Sequence, residues 1–326
     1  MRVAVLLLFS TCSIFAANGL PEGTRHVDVL NYPRCIELSN KSTTAVIGYQ
    51  VGGRVLSYQL KGVEALYLNP EEANWKTAKR KLVTAGRFDI GPEYLIPKRE
   101  ALWSGEWKPE IIGPRAVRIT SQPDQATGVQ LIREFRLAKE STHLSCRQII
   151  RNISKETKYW CHWSRTFAEH GGVGIVPLSN TSKLPLRYVM YEGRGLINAR
   201  PKDPNIKQVG DFLLVQDVPK FPKLGFDSMA GWFAYQMRND LLFVKKYATD
   251  PNGVYNEVAG LTISIWYPQS TKVNAVELEP IGPRNTIPPD GEAEFTEHWH
   301  LLPNDYQRNF SKSDLQKLSQ RVGKLP

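Results

Sequence analysis

The sequence predicts an all-β antiparallel sandwich with a short C-terminal helix. Three observations carry this prediction. Short β-branched and aromatic runs recur from about residue 26 onward, Gly, Pro, Asn or Asp bounds most of them, and no amphipathic helix separates them before the C-terminus. Strands that follow one another without crossover helices pair antiparallel, because parallel pairing needs a long return connection.

In chain order, Ala45–Val51 passes through Gly52-Gly53 into Arg54–Leu60, followed by Val129–Leu137 and Leu144–Ile153. Gly231–Met237, Leu241–Tyr247, Leu261–Tyr267 and Ala293–Leu302 complete the set of clear strands. Asp250-Pro251-Asn252-Gly253 and Pro288-Pro289-Asp290-Gly291 are turns with a mechanism, since proline presets φ and the residues after it accept unusual backbone angles. Near the end, Ser311 or Ser313 can cap a helix whose Leu315, Leu318 and Val322 form one apolar stripe, suited to docking on a sheet. The stretches 69–115 and 179–225 show no clear periodicity and are expected to be long loops.

The chain has 326 residues, and Lys+Arg (42) exceeds Asp+Glu (32), giving a net charge of +10. Residues 1–17 open with Met1-Arg2, an apolar run and small residues near Ala16, the pattern of a secretory signal peptide. The expected organisation is therefore a signal peptide over 1–17 and one β-sandwich domain over 18–326, exported to the periplasm or the exterior. No later run is long and uncharged enough to predict a transmembrane segment. Cleavage would leave Cys35, Cys146 and Cys161, of which Cys146 and Cys161 could form a bridge in an oxidising compartment. There is no GxGxxG, GxxxxGK[ST] or GxSxG, so nucleotide binding and serine hydrolysis lack their usual warrant. Lys76, Lys79, Arg80 and Lys81 cluster without a recognition motif beside them, so no nucleic-acid partner is expected; an acidic glycan is the more natural counterpart of the basic charge.

Three segments carry the candidate chemistry. In Tyr159–Phe167, a strand would set His162 and Ser164 on one face and Cys161, Trp163 and Arg165 on the other. In Val276-Glu277-Leu278-Glu279-Pro280, the two carboxylates share a face, where mutual repulsion would raise one pKa towards general-base duty. In Glu297-His298-Trp299-His300, the histidines share a face and could ligate a metal only with a third ligand from elsewhere; no HExxH or carboxylate cluster accompanies them, and no metal or cofactor is assigned.

With these segments in view, the chain resembles the galactose mutarotase-like superfamily, which includes aldose 1-epimerases. Gly52-Gly53-Arg54-Val55-Leu56-Ser57-Tyr58 is similar to that family's early Gly-x-x-Ile-x-Ser strand. Thr157–Phe167 resembles the segment with the catalytic histidine, Val276–Pro280 the late strand with the catalytic glutamate, and Pro288–Glu292 the Pro-Gly-Glu turn into the last long strand. The order and separations agree over most of residues 36–302. Cys161 and Trp163-Ser164-Arg165 depart from the Asn and Tyr-Phe that usually flank the histidine, and the family's second binding histidine has no clear counterpart.

The resemblance implies a large β-supersandwich with a saccharide groove across one sheet. It implies aldose 1-epimerase-like anomer interconversion without a cofactor, His162 acting as general acid and Glu279 as general base. Arg54, Trp163, Asp227, Glu277, His298 and His300 are the expected substrate-binding residues. Rival readings are a non-catalytic glycan-binding protein on the same fold, and a lyase or hydrolase acting on acidic polysaccharide.

Overall fold

Two antiparallel sheets face each other in the computed structural model, which describes residues 19–79, 81–193, 196–268 and 273–326. The signal peptide expected over 1–17 lies outside the described residues. The larger sheet has thirteen strands. Its central path runs Arg54–Leu60, Gly86–Gly91, Lys158–Glu169, Ala275–Pro280, Ile263–Trp266, Lys223–Phe226 and Val189–Gly193. The smaller sheet has ten strands, with Trp232–Gln236, Leu241–Tyr247, Glu292–Pro303, Leu144–Asn152 and Val129–Leu137 side by side at its centre.

Alternation along these strands builds the core. Val55, Phe88, Ile265 and Leu278 of the larger sheet meet Phe135, Ile150, Phe243 and Trp299 of the smaller one, all fully or almost fully buried. Phe88 stacks on Trp299 with ring centroids 5.5 Å apart. The interior also holds a polar knot: Lys245 pairs with Glu297 at 3.1 Å and donates to Ser164 and Thr166 of the larger sheet. Buried charge of this kind persists only when its hydrogen bonds are complete.

All eight clear strands of the sequence reading are present, with ends shifted by a few residues. The turn at Pro288–Gly291 closes with Gly291 N–H donating to Pro288 O at 2.9 Å, and Asp290 takes the left-handed φ of 59°. The C-terminal helix spans Lys312–Gly323; Ser311 and Asp314 form a reciprocal capping box, worth about 1 kcal/mol. Its Leu315, Leu318 and Val322 pack on Ile175, Ala234, Leu242 and Val244, the outward residues of the smaller sheet. Each such burial contributes roughly 1.5–3 kcal/mol.

Two expectations are corrected. The stretches 69–115 and 179–225 are not long loops. The first contains strands Gly86–Gly91 and Lys108–Gly113 with two short helical turns, and the second contains five strands between Val189 and Phe226. Their periodicity is hidden because strands such as Gly86–Gly91 are buried on both faces and carry charged residues on one of them. Nor do Cys146 and Cys161 bridge: Cys146 sits in the core between the sheets, Cys161 in a separate cluster with Trp163, Val189, Leu261 and Ile281.

Candidate functional site

A buried charged network occupies the outer face of the larger sheet, the face turned away from its partner. The strand Lys158–Glu169 is its spine. Register places Arg87 opposite Arg165, Asp89 opposite Trp163, and Phe167 opposite Glu277. Ser264 and Trp266 lie opposite Glu279 and Glu277 on the far side. Because side chains alternate, Arg87, Asp89, Trp163, Arg165, Glu277 and Glu279 emerge together. Gly91 permits the close packing: a Cβ there would lie 2.7 Å from Cys161 Sγ and 3.0 Å from the Trp163 ring.

Glu277 accepts from Arg87 at 2.5 Å and from Arg165 Nε at 3.2 Å. Burial alone would raise its carboxyl, but the Arg165 and Arg87 guanidinium groups outweigh burial and hold it well below the usual carboxylate range. Glu279 is the opposite case. Burial and then the neighbouring Glu277 charge push its carboxyl well above the usual range, which favours its protonated form. The two carboxyl groups influence each other's protonation, and Trp163 donates its indole N–H to Glu279 Oε2 at 3.0 Å. Among the described residues, Glu279 Oε1 and Glu277 Oε2 receive no hydrogen bond.

Cations surround the aromatic rings. The Arg87 guanidinium stacks on Trp103 at 4.3 Å, with Arg99 and Arg165 over the same ring at 5.1 and 5.5 Å. Trp163 lies beneath both Arg165 and Lys223, at 5.1 and 5.2 Å, and Lys223 also reaches Tyr191. Arg99 pairs with Asp89. At the rim, Glu93 bridges Lys223 at 3.0 Å and Arg165 at 3.6 Å.

The expected site residues divide sharply. Glu277, Glu279 and Trp163 come together. His162 does not join them: it precedes Trp163 by one residue and therefore points into the space between the sheets. There it stacks on Phe295 at 5.7 Å, and neither ring nitrogen has a partner. Burial, reinforced by the Arg133 charge, lowers its pKa to about 3. The acid–base pair of His162 with Glu279 is thus corrected, since the sheet separates the two side chains.

Arg54 is also corrected as a sugar clamp. Its fully buried guanidinium is committed to Glu72, Tyr32 Oη, Thr84 O and Val51 O. Asp227 spends one carboxylate oxygen on Ser182 Oγ and the other on Lys183 N–H, both at 2.6 Å, which anchors a loop. His298 and His300 lie on the outer face of the smaller sheet, remote from Glu279, where His298 Nδ1 meets His143 Nε2 at 2.9 Å and His300 stacks on His143. Among the described residues no group of three or more His, Cys, Asp or Glu is arranged to hold a metal. No described helix is long and apolar enough to cross a membrane.

Sequence reasoning assigned no site role to Asp89, Glu93, Tyr191 or Lys223, and offered Arg87 only as one of three scattered arginines that could neutralise a uronate. The alternating Arg87-Phe88-Asp89 was the available signal.

No family model matches the chain, and no curated protein does. Solved structures do. A galactose mutarotase-like protein from Lactobacillus casei superposes with a TM-score of 0.59 at 11% identity, covering 82% of this chain and 100% of its own. A proposed aldose 1-epimerase from Escherichia coli K12 gives 0.56 at 12% identity, covering 82% of this chain and 98% of its own. A galactose mutarotase related enzyme from Lactobacillus acidophilus gives 0.52 at 12%, covering 84% and 99%. At such identities the likeness concerns the fold, and the chain has the galactose mutarotase-like fold expected from its four sequence segments.

Proposed function

We propose that the network around Glu279 binds a reducing saccharide and interconverts its anomers, with Glu279 rather than His162 moving the protons. One observation carries this reading: on a sheet face with Trp163 and Tyr191, a carboxyl pushed towards its protonated form lies beside one held towards its carboxylate, the pairing that suits proton transfer. The structural neighbours, described as mutarotase-like and epimerase proteins, support saccharide as the ligand class.

The two oxygens of a carboxyl stand in the same 1,3-relation as the ring oxygen and the anomeric hydroxyl of a hemiacetal. Glu279 donates its proton to the ring oxygen as the bond from that oxygen to the anomeric carbon breaks. Its other oxygen takes the anomeric hydroxyl proton, leaving an open-chain aldehyde and a carboxyl that is neutral again. Rotation of the aldehyde and the reverse exchange close the other anomer. Glu277, pinned by Arg87 and Arg165, stays ionised throughout and keeps Glu279 protonated. Lys223 covers Trp163 and must swing aside for the sugar to enter. Export through residues 1–17 belongs to this reading; sequencing the N-terminus of the secreted protein tests it.

The deciding measurement is anomer exchange by NMR on freshly dissolved aldoses. Wild type should accelerate exchange and Glu279→Gln should not, with both folded by circular dichroism. A Glu279→Gln variant as fast as wild type would remove Glu279 from the chemistry. Ligand binding without acceleration in wild type would favour a glycan-binding protein, a reading that the absence of a His162–Glu279 pair also supports.

A further inference from the structure

Glu93 differs from every other acid in the network. Asp89, Glu277 and Glu279 project from paired strands and are buried, whereas Glu93 follows the strand Gly86–Gly91 on a loop, and its side chain is 47% exposed. That loop is tied down through its backbone and neighbours: Glu93 N–H donates to Glu257 Oε2 at 3.1 Å, and Tyr94 Oη donates to Asn256 O. Among the described residues, the Glu93 carboxylate itself is held only by cations that lie deeper than it does. Lys223 and Arg165 side chains are 19% and 10% exposed.

The two cations depend on Glu93 unequally. Arg165 also pairs with Glu277 and approaches Asp89 at 3.9 Å. For Lys223, Glu93 is the one carboxylate within ion-pair distance among the described residues. Lys223 is also the side chain that covers Trp163 and Tyr191. A sugar reaching Glu279 must move Lys223, and moving it breaks the contact with Glu93. A neutral sugar would part a largely buried ammonium from its partner at ion-pair distance and give nothing in exchange, a costly change. A ligand bearing its own carboxylate would replace what it displaced.

We propose that the site is built for a sugar acid, and that Glu93 occupies the seat of the ligand carboxylate, bridging Arg165 and Lys223 until a uronic acid takes its place. This inference rests on the saccharide reading of the same network. It makes Glu93 a competitor of the substrate and Lys223 its specificity group.

The test is calorimetric titration of wild type, Glu93→Gln and Lys223→Met with glucuronate, its methyl ester and glucose. Thermal melts establish that each variant is folded. The ester keeps the shape and removes the charge. Wild type should bind glucuronate about tenfold or more tighter than the ester, as desolvated charge pairs allow. Lys223→Met should erase that preference, and Glu93→Gln should tighten glucuronate several-fold more than glucose. If glucose and the ester bind wild type as well as glucuronate does, the sugar-acid inference falls while the saccharide reading stands. If no sugar binds, both fall.

Discussion

Glu277 and Glu279, two residues apart on one strand, are pushed in opposite directions, the first towards its carboxylate and the second towards its protonated form. The cause is the unequal sharing of cations: Arg87 and Arg165 both contact Glu277, while Glu279 contacts the neutral indole of Trp163. A like-charged pair in a buried site cannot ionise twice, so the carboxyl without the arginines keeps the proton.

Among the described residues, the Trp163 indole N–H is the one neutral donor on Glu279, and it favours the carboxylate that forms whenever the proton leaves. Trp163→Phe keeps the ring between Arg165 and Lys223 but removes this donor. Anomer exchange should slow about tenfold, corresponding to one hydrogen bond of about 1.4 kcal/mol, with the circular dichroism spectrum unchanged. An unchanged rate would show that the indole only packs.

His162 should matter to stability and not to turnover. Its folded pKa of about 3 lies below the ordinary value near 6.5, so the unfolded chain binds a proton first as pH falls. The stability from keeping His162 neutral is complete above about pH 6.5 and declines as pH drops towards 3, by up to about 1.4 kcal/mol per pH unit. His162→Phe, which preserves stacking on Phe295, should flatten that acid loss in urea titrations at pH 7, 5 and 4 while anomer exchange continues. Parallel stability profiles, or loss of exchange in a folded variant, would contradict this.

Arg54 is a structural lock. Arg54→Met strands the buried Glu72 carboxylate and should cost about 3–5 kcal/mol in denaturant unfolding. Arg54→Met combined with Glu72→Leu should recover most of that loss, because both buried charges are gone. A double variant as unstable as the single one would mean that the hydrogen bonds to Tyr32 and Thr84 matter more than the ion pair.

Cys35, Cys146 and Cys161 are free and buried, and burial raises each thiol, Cys35 to about 11. A water-soluble disulfide reagent should leave all three unmodified in the native protein and label all three in denaturant. Mass spectrometry of the labelled peptides reads this directly, and a Cys146–Cys161 disulfide would refute it.

By itself the sequence determined the class of fold, the strands with hydrophobic alternation, the C-terminal helix, and which neighbours share a face within a strand. Glu277 with Glu279, and Trp163 with Arg165 but apart from His162, follow from period-two geometry alone. Only the tertiary structure decided which face of Lys158–Glu169 looks outward. From Cys161 to Ala168 that strand is buried on both sides, so hydrophobicity carries no sign that distinguishes core from groove. His162 therefore read as a groove residue until the smaller sheet was seen to cover it. The tertiary structure also brought Arg87 to Glu277 across a separation of 190 residues, and Glu93 and Lys223 to the same network. Strand register across the larger sheet sets Arg87 beside Arg165 and Glu277, and a loop carries Glu93 to Lys223, neither of which any local pattern records.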